Sequence, residues 1–255
     1  MSAPDTLERL RATIRRIERP PVSLEHRPVS LGAPTIDANL PWKGLPMARL
    51  HEIAGTAASG FAAALVGRVA ASLPPGGLVW CVDPAFCRRF GELYGPGLAA
   101  FGIEGERLLL VRPRDRRQVF WAMEEALRCR AVACTVGEID GASLEQSRRL
   151  QLAAEEGGGI GILLRGAKGD SGPLAATTRW SVDALCDERA GAGSRAGTSR
   201  SIGPWSADLW RVKGGAPRRW SVRWDERTLS FHDLAALADR ADAPARPAHR
   251  PDARR

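Results

Sequence analysis

The sequence predicts an α/β fold: a doubly wound, mostly parallel sheet, with a helix before it and a β-hairpin after it. Three observations carry this. From residue 47 onward, short apolar runs alternate with helix-period segments, and strands buried on both faces between helices build parallel sheets. Two of the helical segments open on capping signals, Asp115-x-x-Gln118 and Ser143-x-x-Gln146. Near the C-terminus, LWRV (209–212) and WSVRW (220–224) flank Lys213–Pro217, the pattern of a hairpin with a longer loop.

Taken in order, residues 5–19 place Leu7, Leu10, Ile14 and Ile17 on one helical stripe, and Pro20 and Pro21 end the helix. The opposite face carries five arginines against Asp5, Glu8 and Glu18. This helix is expected to dock its stripe on its own core or on a neighbouring subunit. Strands are predicted over residues 49–54, 78–83, 107–112, 131–136 and 160–165. Helices are predicted over 61–73, from Asp115 to about Cys129, and from Ser143 to the glycines at 157–159, which stop it. Cys81 and Cys134 fall inside strands as small core residues. Residues 187–204 are rich in Gly, Ser, Ala and Arg and read as a flexible connection. A weak helix over 233–240 precedes a Pro/Ala/Arg tail expected to be disordered. The resulting division is 1–28 helix and linker, 29–185 core, 186–204 linker, 205–240 hairpin and short helix, and 241–255 tail.

At 255 residues, the chain is long enough for one α/β domain with appendages. It has no run of 18 or more apolar residues and no signal-peptide stretch, so a cytoplasmic protein without membrane contact is expected. Five cysteines without a C-x-x-C pair argue against a disulfide framework, and four scattered histidines lack metal-ligand spacing. No metal, cofactor or catalytic residue is expected. The net charge of +8 invites nucleic acid. Yet only three of the 37 basic residues are lysines, a bias that a GC-rich genome also produces.

Residues 55–65, GTAASGFAAAL, carry Gly55-x-x-x-x-Gly60, the glycine spacing of a phosphate loop. A working loop continues with Lys, which reaches the β/γ-phosphates, and Ser or Thr, which holds magnesium. Here Phe61 and Ala62 follow. Losing two charge-assisted contacts of roughly 1.5–3 kcal/mol each weakens nucleotide binding by roughly 10²–10⁴-fold. Taken alone, the glycine pair is a tight strand-to-helix turn without a ligand.

The surroundings of the loop resemble a known family. Ile36-Asp37, Gly44-Leu45-Pro46, His51-Glu52-Ile53 and the loop follow one another as in the RecA recombinase core, a resemblance spanning roughly residues 29–165. The closer resemblance is to the ImuA family, the RecA/SulA-like proteins of bacterial damage-inducible mutagenesis cassettes. It rests on LHEIAG, LYGPGLAAFGI, RLLLVRPR, WAMEEALRCRAVACTVGE, SRRLQLAAEEGG and the segments TRWSV, LWRVKGG and WSVRW, and covers nearly the whole chain. Against the recombinase pattern, Ala85 stands where a Glu positions the attacking water. Gly137 stands where an Asp holds magnesium, with Glu138 one residue late. A one-residue slip on a strand turns a side chain to the opposite face. With Phe61, Ala62, Ala85 and Gly137 in those places, the resemblance implies a RecA-like core without ATPase activity.

Five of the eight tryptophans lie between residues 180 and 224, interleaved with arginines. Trp210, Arg211, Trp220, Arg223 and Trp224 are the candidate partner or DNA surface, since Trp and Arg build interface hot spots and base-stacking platforms. The competing reading packs the Trp face of the hairpin onto the sheet. The family resemblance implies an adaptor in SOS-induced, error-prone translesion DNA synthesis. Its implied partners are ImuB, an inactive Y-family polymerase relative, an error-prone DNA polymerase, and the RecA filament as a docking site. DNA contact is expected chiefly through those partners. A SulA-type inhibitor of the division GTPase, and a RecA-type ATPase with an unconventional site, are the alternatives.

Overall fold

The computed structural model describes residues 28–73, 76–166, 172–186 and 201–235. The predicted N-terminal helix, most of the linker and the tail lie outside the described residues, as does all but the start of the weak 233–240 helix. A short helix α1 (Pro34–Asp37) leads to β1 (Leu50–Ala54) and α2 (Ala58–Ser72). Then come β2 (Gly77–Val82), the short helices α3 (Pro84–Phe90) and α4 (Gly95–Ala99), and β3 (Leu108–Val111). They are followed by α5 (Arg116–Arg128), β4 (Val132–Glu138), α6 (Leu144–Gly157) and β5 (Ile160–Arg165). Four further strands close the described chain: β6 (Thr178–Ala184), β7 (Ser201–Val212), β8 (Arg218–Asp225) and β9 (Ser230–Asp233).

All nine strands form one sheet in the order β3-β2-β4-β5-β1-β6-β7-β8-β9. The first six positions in that row are parallel, and β7 to β9 continue it antiparallel. This is a RecA-like α/β fold. Both predicted caps form: Ser143 and Gln146 make a reciprocal capping box, whereas Asp115 accepts from the Gln118 N–H at 2.9 Å and the Gln118 side chain accepts from the Arg114 N–H at 3.1 Å instead of the Asp115 N–H. Gly158, in the left-handed region at φ 87°, closes α6.

Three differences from the sequence reading share one cause, the lateral growth of the sheet. Residues 178–184, not predicted as a strand, form β6 because Arg179 and Trp180 pair in register with Glu52 and Ile53 of β1. Residues 201–204, placed in the linker, are the start of β7. The hairpin is therefore not an appendage beyond a linker but a continuation of the core sheet. One face of the sheet packs on α2, with Phe61, Leu65, Trp80, Trp180, Trp205, Trp224 and Phe231 in one buried cluster. The other face, over β1, β2, β4 and β5, is covered by α5 and α6 through Val119, Met123, Leu127 and Leu150. No helix among the described residues is long and apolar enough to cross a membrane.

Candidate functional site

The loop after β1 is stitched to β6. Gly55 sits at φ 117°, and a Cβ there would overlap the Val182 carbonyl oxygen, so only glycine lets the two backbones meet. The Ala57 N–H donates to that carbonyl at 3.1 Å. Thr56 donates to Asp183 Oδ1 through its N–H at 3.3 Å and its hydroxyl at 3.1 Å. A helix N-terminus attracts anions, and here the chain's own Asp183 carboxylate stands beside the first turn of α2.

Phe61 and Ala62 are fully buried. The Phe61 ring lies 4.9 Å from Phe231, 5.6 Å from Trp180 and 6.1 Å from Trp205, centroid to centroid. A Cβ on Gly60 would meet the Trp205 ring at 3.1 Å. The position that holds lysine in a working loop thus keys α2 onto β6, β7 and β9. An ammonium group there would face three aromatic rings, a costly burial.

The remaining positions of the recombinase pattern lie at the C-terminal ends of β2 and β4. Asp83 caps α3, accepting from the Ala85 N–H at 2.8 Å. Ala85 is exposed. Gly137 lies against the Met123 thioether, which would have to shift to admit a Cβ there. Glu138 points to the other face, as its one-residue slip requires, and accepts from Trp80 Nε1 at 3.0 Å. Burial pushes its carboxyl up to about 7, against the Trp80 hydrogen bond and the Arg112 charge, and its Oε2 has no hydrogen-bond partner among the described residues. A cavity of about 360 Å³ nearby is lined by Val82, Pro84, Cys87, Arg88, Glu92 and Arg112. Among the described residues no three His, Cys, Asp or Glu side chains group to hold a metal ion.

The candidate tryptophans divide. Trp220 and Trp224 are 5% and 0% exposed, which corrects their placement on a partner surface. The antiparallel register turns Trp220, Val222 and Trp224 toward α2 and leaves Ser221 and Arg223 on the outer face. Trp224 Nε1 donates to the Ala100 carbonyl at 3.1 Å. Trp210 faces the other way and is 39% exposed, and Arg211 beside it is exposed too.

Below Trp210 lies a buried ion cluster that the sequence reading missed. The Arg179 guanidinium stacks 4.1 Å from the Trp210 ring centroid, pairs with Glu52 and donates to the Gly172 carbonyl at 2.9 Å. Arg165 reaches the same Glu52 at 3.1 Å. The available signal was a charge in the middle of an otherwise apolar strand, Glu52 in LHEIA and Arg179 in TRWSV, since such charges need a partner.

No family model matches the chain. It is, however, similar to Protein ImuA of Caulobacter vibrioides strain NA1000 / CB15N, with 30% identity over 236 residues, covering 84% of this chain and 90% of that protein. The same figures hold for Protein ImuA of Caulobacter vibrioides strain ATCC 19089 / CIP 103742 / CB 15. Nine-tenths of each relative is thereby matched, and the chain belongs to the ImuA family.

Proposed function

We propose that this chain is a non-catalytic, RecA-like adaptor in SOS-induced, error-prone translesion DNA synthesis. It acts beside an ImuB-type inactive Y-family polymerase relative and an error-prone DNA polymerase, with the RecA filament as a docking site. The observation that carries the non-catalytic part is the use of the loop after β1. Its lysine position is an aromatic core residue, and its backbone is engaged by Val182 and Asp183. Phosphoryl transfer depends on electrostatic groups held around the phosphates, and Phe61, Ala62, Ala85 and Gly137 supply none. Membership in the ImuA family supports the cassette partners.

The test uses the purified full-length chain. With magnesium, ATP and single-stranded DNA it should release phosphate no faster than a buffer blank, while immobilised chain retains purified ImuB-type protein. Hydrolysis abolished by changing the Gly55–Gly60 loop would refute the non-catalytic reading. Failure to retain the ImuB-type protein would refute the adaptor reading.

A further inference from the structure

We propose that the open face of β6, β7 and β8 binds single-stranded nucleic acid directly, with the outer side of the Trp210 indole as a base-stacking platform and Arg211 as a phosphate contact. This goes beyond the adaptor reading and does not depend on it.

The face is free of helices in the described structure. α5 and α6 cover β1, β2, β4 and β5, whereas β7 and β8 are packed by α2 only from the other side. Its charge suits a polyanion. Arg179, Arg211, Arg219 and Arg223 stand there against Asp183 and Asp208. Both aspartates are engaged within the chain, Asp183 by Thr56 and Asp208 by Arg219 at 2.6 Å. Beneath the ring, Arg165 and Arg179 both pair with the Glu52 carboxylate, which places two guanidinium groups under Trp210. The Arg211 side chain makes no hydrogen bond or ion pair among the described residues.

The platform is also built in advance. Arg179 is 1% exposed and held by Glu52 and Gly172, so the guanidinium fixes the inner face of the indole and leaves the outer face open. A side chain ordered before binding costs less on association. The register shift between Arg179 and Trp180 sets both Trp210 and Arg211 beside the same stretch of β6, which is how two consecutive residues come to be exposed.

The composition favours nucleic acid over protein. A protein interface sets its Trp and Arg anchors in a core of further apolar side chains, with serine and aspartate depleted. Here Trp210 is the one large apolar side chain exposed within β6 to β9 among the described residues, and the rest of that face carries arginines, serines, Asp183 and Asp208. An aromatic ring set among cations is the arrangement that stacks bases and tracks a phosphate backbone. A duplex keeps its base faces stacked and cannot use such a ring.

The experiment follows the anisotropy of a fluorescein-labelled oligo-dT with the full-length chain at low salt and through a salt titration, with a duplex of equal length as competitor. Expected are binding of the single strand in preference to the duplex and a tenfold to hundredfold loss on Trp210→Ala. Trp210→Phe should retain most of the affinity. Arg211→Ala should lower the salt slope by about 0.7, the share of one phosphate contact on a single strand. Absence of binding at low salt would overturn the proposal, as would binding that both Trp210→Ala and Arg211→Ala leave unchanged. Loss of ImuB-type protein retention in Trp210→Ala, without oligo-dT binding by the parent chain, would assign the face to a protein instead. Should Trp210→Ala melt at a lower temperature, Trp210→Phe and Arg211→Ala decide, because neither uncovers Arg179.

Discussion

His51 and Glu138 are buried ionisable groups, and burial favours the neutral form of each, which moves their pKa values in opposite directions. The His51 Nε2–H donates to the Pro46 carbonyl at 3.1 Å, and Nδ1 accepts from the Thr178 hydroxyl at 2.7 Å. That hydroxyl oxygen in turn accepts from Trp180 Nε1 at 2.9 Å. Burial, aided by the Arg49 charge, lowers the imidazole to about 4 from 6.5. The unfolded chain therefore binds the extra proton first, and stability falls as pH drops from 6.5 towards 4. Glu138 has the opposite sign. Its folded-state value of about 7 lies above 4.5, so its contribution is present below 4.5 and lost as pH rises to 7. Each amounts to about 3 kcal/mol at most, and between pH 4.5 and 6.5 they oppose one another. Urea unfolding across that range should give a nearly flat contribution from the pair in the parent chain. Glu138→Gln should make stability rise with pH, and His51→Gln should make it fall.

At the scale of elements, α2 is the piece whose sequence looks functional and whose structure is architectural. Its first turn carries the second glycine of the spacing, yet Gly60 admits the Trp205 ring and Phe61 fills the space below β6, β7 and β9. Phe61→Ala should therefore lower folding stability by about 3–5 kcal/mol, read from chemical unfolding, with no gain of nucleotide affinity. Phe61→Lys should be at least as damaging, because it buries an ammonium group among the same rings. Arg223→Ala, on the outer face of β8, serves as the contrast and should stay within about 0.5 kcal/mol of the parent. A Phe61→Ala chain that unfolds at the parent's midpoint would show that the ring cluster contributes little.

For the whole molecule, the consequence of a single sheet is that β6 to β9 are part of the folding unit. β6 contacts β1 on one side and β7 on the other, and Trp180, Trp205, Trp224 and Phe231 form one aromatic cluster with Phe61 across four strands and a helix. A chain ending at residue 185 would expose the Trp180 and Phe61 rings and the unpaired edge of β6, an invitation to aggregation. It should elute as aggregate in size exclusion and lose its cooperative melt. A soluble, cooperatively melting 1–185 fragment would mean that the parallel part is an independent domain.

Much of this architecture is local and so was legible in the residues. The alternation of apolar runs with capped helices located β1 to β5, α2, α5 and α6 within a few residues, because burial on both faces and the Asp115 and Ser143 caps are set by near neighbours. The slip that turns Glu138 away from the Gly137 face follows from strand period alone. Register could not be read in the same way. Which face of WSVRW turned inward depended on the Ser206–Ser221 pairing and on what stood opposite, and pairing across strands gave Trp220 and Trp224 to the core. The Glu52, Arg165 and Arg179 cluster draws on strands 113 and 127 residues apart in sequence. Distance along the chain hid it, and only lateral pairing of β5, β1 and β6 brought two guanidinium groups to one carboxylate beneath an exposed indole.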